Sequence, residues 1–244
     1  MPIPEDAFRH VPELRGRIRE PEESVFRDMV ARYAEFDARA AEEGREPGWR
    51  LTHAAREATR AEALAGRSGD VWIFAYGSLT WDPAMEVAEI RHARLDGWRR
   101  TFCFRLDGGR GSPERPGLMA ALDADPGHAC EGLALRLPEA LVEVETERLW
   151  RREMITGAYV PRWLALATPQ GPVEALAFTA DHANPRHVGA MPRAEKARMI
   201  AGAEGPLGTN LEYLETLLAQ LETLGMHDPE MTELHALCRA ALQR

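Results

Sequence analysis

VWIFAYGSLTW, residues 71–81, passes through five apolar residues, meets a tyrosine and breaks at Gly77-Ser78. A short apolar run rich in β-branched and aromatic side chains reads as a buried strand. Its abrupt end admits two readings. It is a plain turn, or it is a place where successive backbone N–H groups face a ligand, for which glycine permits the backbone angles and the close approach.

Outward from this strand the chain changes character. Before it, residues 22–66 hold two Ala-rich, charged, strongly helix-forming segments separated by a turn at 44–48. After it come short strand candidates at 71–76, 86–95, 99–106, 117–123, 130–137, 159–168 and 173–179. Most of their connections are too short for βαβ crossovers, so the pattern predicts an antiparallel or mixed sheet, or a small barrel, with helices outside. One helix interrupts the strands, Pro138 to Glu153, with Pro138 suited to a first turn. Beyond 190 the sequence is helical again. The class is α+β, with residues 1–69 a helical N-terminal extension and 70–244 the remaining domain.

Composition narrows the function. A net charge of −9 and a pI near 5.5 lack the clustered cations that nucleic acid or an anionic membrane surface demands, which favours a small-molecule partner. Cys103, Cys130 and Cys238 are far apart and form no C-x-x-C pair, which suits a reducing cytoplasmic compartment and argues against a disulfide framework or zinc site. No signal peptide and no apolar run of membrane-spanning length is read in the sequence. The sequence sets no oligomeric state.

Four segments carry candidate chemistry. AYGSL lacks the outer glycines of G-x-S-x-G, so Ser78 is a poor candidate for a nucleophile. DGGRGSPERPG, residues 107–117, lacks the ending of a phosphate loop and reads as a solvated hairpin loop. Within it Arg110 offers a fork of donors that matches a carboxylate. In DHANPRH, His182 and His187 have neither helical spacing nor an obvious third ligand and read as surface-loop histidines. In LWRREMITGAY, Glu153 stands at the C-terminal end of its helix beside apolar Met154 and Ile155. The helix dipole and partial burial would raise its pKa, while Arg151 or Arg152 would lower it.

Taken together, VWIFAYGSLTWDP, FCFRLDGGRGSPERPG, LWRREMITGAYVPRW and GPLGTNLEYL resemble the ChaC family of glutathione-specific γ-glutamylcyclotransferases, in consistent order from about Val71 to about Leu237. One departure is Ala75, where that family usually has glycine. The resemblance implies a compact β-barrel with flanking helices and cleavage of glutathione to 5-oxoproline and cysteinylglycine. It implies that the loop Ala75, Tyr76, Gly77, Ser78, Leu79 and Thr80 binds the γ-glutamyl group, and that Glu153 is the acid/base. Tyr159 and Arg110 are further candidates for contacting substrate. Neither a metal nor a cofactor is expected, because the substrate's own α-amine is the nucleophile. The rivals are a cyclotransferase for other γ-glutamyl compounds, a non-catalytic regulatory binding module, and a Ser78 hydrolase. Since every matched motif follows Val71, the extension is expected to lie outside the catalytic centre.

Overall fold

The computed structural model describes residues 2–42, 44 and 48–243. These form two compact units, Met1–Asp96 with Glu131–Thr179, and Gly97–Cys130 with Ala180–Arg244. The strands are β1 (Val71–Ala75), β2 (Glu89–Leu106), β3 (Gly117–Leu137), β4 (Tyr159–Leu166) and β5 (Val173–Ala180), in the sheet order β2-β3-β1-β5-β4. The helices are α1 (Met29–Glu42), α2 (His53–Leu64), α3 (Glu139–Glu153), α4 (Arg193–Gly202), α5 (Asn210–Thr223) and α6 (Pro229–Ala241). The α+β class is met.

β1 sits in the middle of the sheet. It runs antiparallel to β3, from Val71 opposite Leu137 to Ala75 opposite Leu133, and parallel to β5, with Trp72 opposite Ala175. A strand paired on both edges and covered on both faces must be almost wholly apolar, which accounts for the unbroken run. Ile73, Phe74 and Ala75 are completely buried.

The expected small barrel is realised as an open sheet with β2 and β4 at its edges. The edges meet at one point in the first unit, where Arg94 and Ala167 exchange two backbone hydrogen bonds of 2.9 Å. Two expected breaks between strands do not occur. Segments 86–95 and 99–106 are one strand carried through Gly97 at φ 81°, a backbone state that bends a strand without ending it. Segments 117–123 and 130–137 are likewise one strand through Asp125-Pro126-Gly127. Ladder pairing there overrides turn propensity. The turn expected at 44–48 lies largely outside the described residues.

The extension is not loosely attached. Three single 3-10 turns between Glu5 and Glu23 bury Ala7, Phe8, Leu14 and Pro21, and the residues that link them bury Val11 and Ile18. α1 and α2 hydrogen-bond to the helix that carries Glu153: the Tyr33 hydroxyl donates to the Arg151 carbonyl oxygen (2.7 Å), and Arg60 donates to the Glu143 carboxylate (2.6 Å). In return, Trp150 Nε1 donates to Thr59 Oγ1 (3.1 Å). Pro138 is the N-cap of α3, one position before its first turn.

Gly132 in β3 shows how tightly the end of β1 is held. A Cβ at this position would stand 2.3 Å from the Ala75 carbonyl oxygen and 3.1 Å from the Phe74 ring. Backbone cannot yield as a flexible side chain would, so Gly132→Ala is expected to cost about 1–3 kcal/mol by overpacking and to displace the loop that follows Ala75. Thermal melting checks the first effect, and an unchanged melting temperature would contradict it.

Candidate active site

The break after β1 and the last turn of α3 come together in the first unit. Ala75 completes the ladder, and Gly77 follows at φ −129°, ψ −135°. A 3-10 turn then spans Ser78–Thr80. That turn uses the N–H groups of Thr80, bonded to the Gly77 carbonyl oxygen (2.9 Å), and of Trp81 and Asp82, both bonded to that of Ser78. The N–H groups of Gly77, Ser78 and Leu79 are not consumed by it. The strand end therefore presents consecutive backbone donors.

Five of the six loop residues, Gly77 among them, are buried, and Ser78 is partly exposed. Ala75, Leu79 and Thr80 are buried, and the Thr80 hydroxyl donates back to the Gly77 carbonyl oxygen (2.8 Å), so these residues shape the loop. Tyr76 is also buried, its hydroxyl donating to the Phe178 carbonyl oxygen (2.6 Å). The Ser78 hydroxyl faces α3, where it accepts from Arg152 (2.8 Å). Tyr159, buried in β4, packs edge-on to Phe178 with ring centroids 6.1 Å apart, so both tyrosines form one wall around Phe178.

The link between loop and helix is Arg152, which is 8 % exposed. One guanidinium nitrogen, Nη2, donates to Ser78 Oγ (2.8 Å). A second, Nη1, donates to the Asp82 carbonyl oxygen. Nε stands 3.1 Å from Glu153 Oε1. The fixed fork geometry of an arginine thus sets the distance between the loop and the carboxylate. The sequence placed Arg152 only as a charge beside Glu153. Its partners Ser78 and Asp82 lie 74 and 70 residues away in the chain, a relation that no local pattern shows.

Glu153 is the other half of the arrangement. Its side chain is 15 % exposed, and burial pushes its carboxyl above the ordinary range while the neighbouring Arg152 charge pulls the other way. Oε1 faces Arg152, and no protein hydrogen bond to Oε2 is found among the described residues. A carboxylate held at one oxygen, with its pKa moved toward neutrality, is equipped to exchange a proton at the other. Asp82, buried at 4 % exposure, completes the setting: its Oδ1 has no hydrogen-bond partner and lies 3.9 Å from Arg152 Nη1.

The remaining candidates belong to the second unit. Arg110 donates to the Thr209 carbonyl oxygen (2.8 Å) and lies 3.5 Å from Glu212, which brackets the capping box that starts α5. The glycine-rich segment around it joins the neighbouring strands β2 and β3, as a hairpin loop does, but it is packed where a solvated loop was expected. A Cβ at Gly111 would fall 2.5 Å from both Gly117 N and the Leu106 carbonyl oxygen, and Leu207 N–H bonds to the Gly109 carbonyl oxygen (2.9 Å). Glycine is needed there for close packing. His182 and His187 do acquire a third neighbour, Asp123 of β3, with Asp123 Oδ1 2.6 Å from His182 Nε2. Their rings are stacked 4.5 Å apart at 17°, so as they stand their in-plane lone pairs cannot converge on one ion.

A family model described as ChaC-like protein matches residues 71–241. The glutathione-specific gamma-glutamylcyclotransferase of Escherichia coli strain K12 is 45 % identical over 182 residues, covering 73 % of this chain and 78 % of that protein. Glutathione-specific gamma-glutamylcyclotransferase 1 of Danio rerio is 29 % identical over 187 residues, covering 75 % and 95 %. Among solved structures, the glutathione-specific γ-glutamylcyclotransferase from yeast superposes with a TM-score of 0.65 at 20 % identity, over 71 % of this chain and 97 % of that one, a likeness of fold.

Proposed function

The chain belongs to the ChaC family, and on that premise we propose that it degrades glutathione by closing the γ-glutamyl group on itself, releasing 5-oxoproline and cysteinylglycine. The observation that carries the reading is Arg152, hydrogen-bonded to Ser78 of the loop and ion-paired with Glu153, which makes one site of two distant segments.

The reaction needs little from the protein beyond positioning and proton transfer. The substrate's α-nitrogen attacks its own γ-carbonyl carbon, a C–N bond closes the five-membered lactam, and the C–N bond to the cysteinyl residue breaks. No water and no enzyme nucleophile enter. Holding the chain folded converts much of the barrier into prior ordering, since effective molarities of well-oriented intramolecular reactions reach ~10⁵–10⁸ M. The α-amine is mostly ammonium near neutral pH, so a base must first remove its proton, and the departing cysteinyl nitrogen must receive one. We assign both transfers to Glu153. The N–H groups of Gly77, Ser78 and Leu79 are assigned to the substrate's oxygens, either the γ-carbonyl as charge develops there or the α-carboxylate. Tyr76 and Tyr159 form the wall. Arg110, engaged in the second unit, is given no step.

The matched region starts at residue 71, which supports treating 1–69 as an addition to a catalytic region of 70–244. The proposed compartment is the cytoplasm, in keeping with three buried cysteines that are not disulfide-bonded. No helix among the described residues is long and apolar enough to cross a membrane.

Reduced glutathione incubated with the protein is expected to yield 5-oxoproline and cysteinylglycine in equal amounts by mass spectrometry. Turnover is expected to survive exhaustive chelation, because the chemistry needs no Lewis acid and neither His/carboxylate cluster among the described residues includes Glu153 or a loop residue. Activity lost to EDTA and restored by a divalent metal would contradict this. Preferred turnover of γ-glutamyl-alanine over glutathione would reassign the substrate.

A further inference from the structure

Arg152 has a second side to its surroundings. One face of its guanidinium is covered by the ring of Phe26, with the central carbon 4.4 Å from the ring centroid. Phe26 lies 45 residues before the matched region begins at residue 71. It is only half-buried and is no part of the apolar core.

Its position is fixed by its neighbours on both sides. Upstream, Arg19 N–H donates to the Trp81 carbonyl oxygen (2.8 Å), and its Nε stands 3.7 Å from Asp82 Oδ2. Downstream, Arg27 reaches both halves of the site. Its Nη1 donates to the Ala84 carbonyl oxygen (3.0 Å) and to the fully buried Glu145 of α3 (2.6 Å), while Nη2 donates to Glu86 (2.8 Å). Ala84 stands at φ 56°, a state a non-glycine residue keeps only when its surroundings hold it there, and the Arg27 bond is part of that hold. Residues 19–27 therefore strap the segment after Ser78 to the helix that ends at Glu153, with Phe26 seated on the arginine between them.

We propose that this N-terminal strap belongs to the reaction centre, with Phe26 a positioning residue that holds Arg152 in register with Ser78 and Glu153. The physical reason is that a guanidinium bonded only along its edges can still swing, whereas an aromatic face against its plane removes that freedom and keeps water off the charge. The expectation that the extension stands apart from the centre is thereby replaced. The catalytic part of the proposal rests on the activity proposed above, so its test includes a readout that does not.

Phe26→Leu in the full chain keeps an apolar side chain and removes the ring face. It is expected to lower kcat about tenfold, between the sizes that loss of an exposed and of a fully desolvated cation–π contact convert to, with KM changed less. Phe26→Tyr is expected to restore it. The charged groups around the carboxyl are Arg152 on its own helix, and behind that Asp82 from the loop and Arg19 from the strap. A loosened Arg152 stabilises the carboxylate less, so the Glu153 titration, followed by NMR with ¹³C-labelled glutamate and assigned with Glu153→Gln, is expected to move to higher pH. The acid limb of kcat/KM is expected to follow. Lost packing alone would lower the melting temperature and leave the titration in place. An unmoved titration with unchanged kcat overturns the proposal. So does failure of both Phe26→Leu and Phe26→Met to fold, which would assign the ring to the scaffold. If the wild type makes no 5-oxoproline, the activity reading fails, and the NMR titration still decides whether Phe26 positions Arg152.

Discussion

Glu153→Gln is expected to cut 5-oxoproline formation by the full cost of general acid–base catalysis, ~10²–10⁴-fold, and toward the upper end because one residue handles both proton transfers. The amide has nearly the carboxylate's volume and leaves an oxygen facing Arg152, whose Nε forms an ion pair with Glu153 Oε1 at 3.1 Å in the native chain. What it cannot do is accept the ammonium proton. The stability consequence follows from the direction of the pKa shift. A carboxyl raised by burial adds no penalty while protonated, and its penalty grows as pH rises from the unfolded toward the folded pKa. At neutral pH removing that charge relieves the fold, at the cost of a weaker partner for Arg152. The melting temperature should therefore stay within a few degrees of wild type while turnover collapses. A Gln variant that folds, binds glutathione and turns over within about tenfold of wild type would remove Glu153 from the mechanism.

Arg152→Leu is the second large effect. It takes a cation out of a nearly dry site, leaving the carboxylates of Asp82 and Glu153 without it and Ser78 Oγ without its donor. Breaking a buried charge pair from one side costs about 3–5 kcal/mol, so a clear fall in melting temperature is expected. Activity should fall by ~10²-fold or more, because loop and base lose their common reference and small misplacements at a reacting centre are that expensive. The remaining activity should have its acid limb at higher pH, since the one cation that lowers the Glu153 pKa is gone. Arg152→Lys separates the two roles. It keeps the charge and loses the fork, so the limb should stay near wild type while kcat still falls. Wild-type rates in both variants would show that the bridge between loop and helix is incidental.

The parts of the fold that could be read beforehand are those whose cause is local. The unbroken apolar run of β1 announced a buried strand, its stop at Gly77 announced the loop, periodicity gave α3 close to its observed bounds, and the helical character beyond residue 190 is met by α4, α5 and α6. Glu153 could be singled out because helix end, apolar neighbours and adjacent arginines are all visible within a few residues. What escaped depends on contacts distant in sequence. Gly97 and Asp125-Pro126-Gly127 look like strand breakers, yet β2 and β3 run through them because paired neighbours supply the bonds. Residues before Ser24 have no period to read, being single 3-10 turns that bury one or two side chains each. Arg110 looked like a free fork in a solvated loop, whereas its acceptor, Thr209, lies 99 residues on. Arg152 and Phe26 show the same limit at the site itself: neither identity signals a role until the loop, the helix and the strap are assembled.

In the proposed reaction the substrate's own amine closes the ring and no water takes part. The direct measurement is turnover of reduced glutathione in ¹⁸O-enriched water, with the products weighed by mass spectrometry. 5-Oxoproline and cysteinylglycine are expected in equal amounts, both free of ¹⁸O. Free glutamate carrying ¹⁸O in its γ-carboxyl would show hydrolysis instead, and would contradict it.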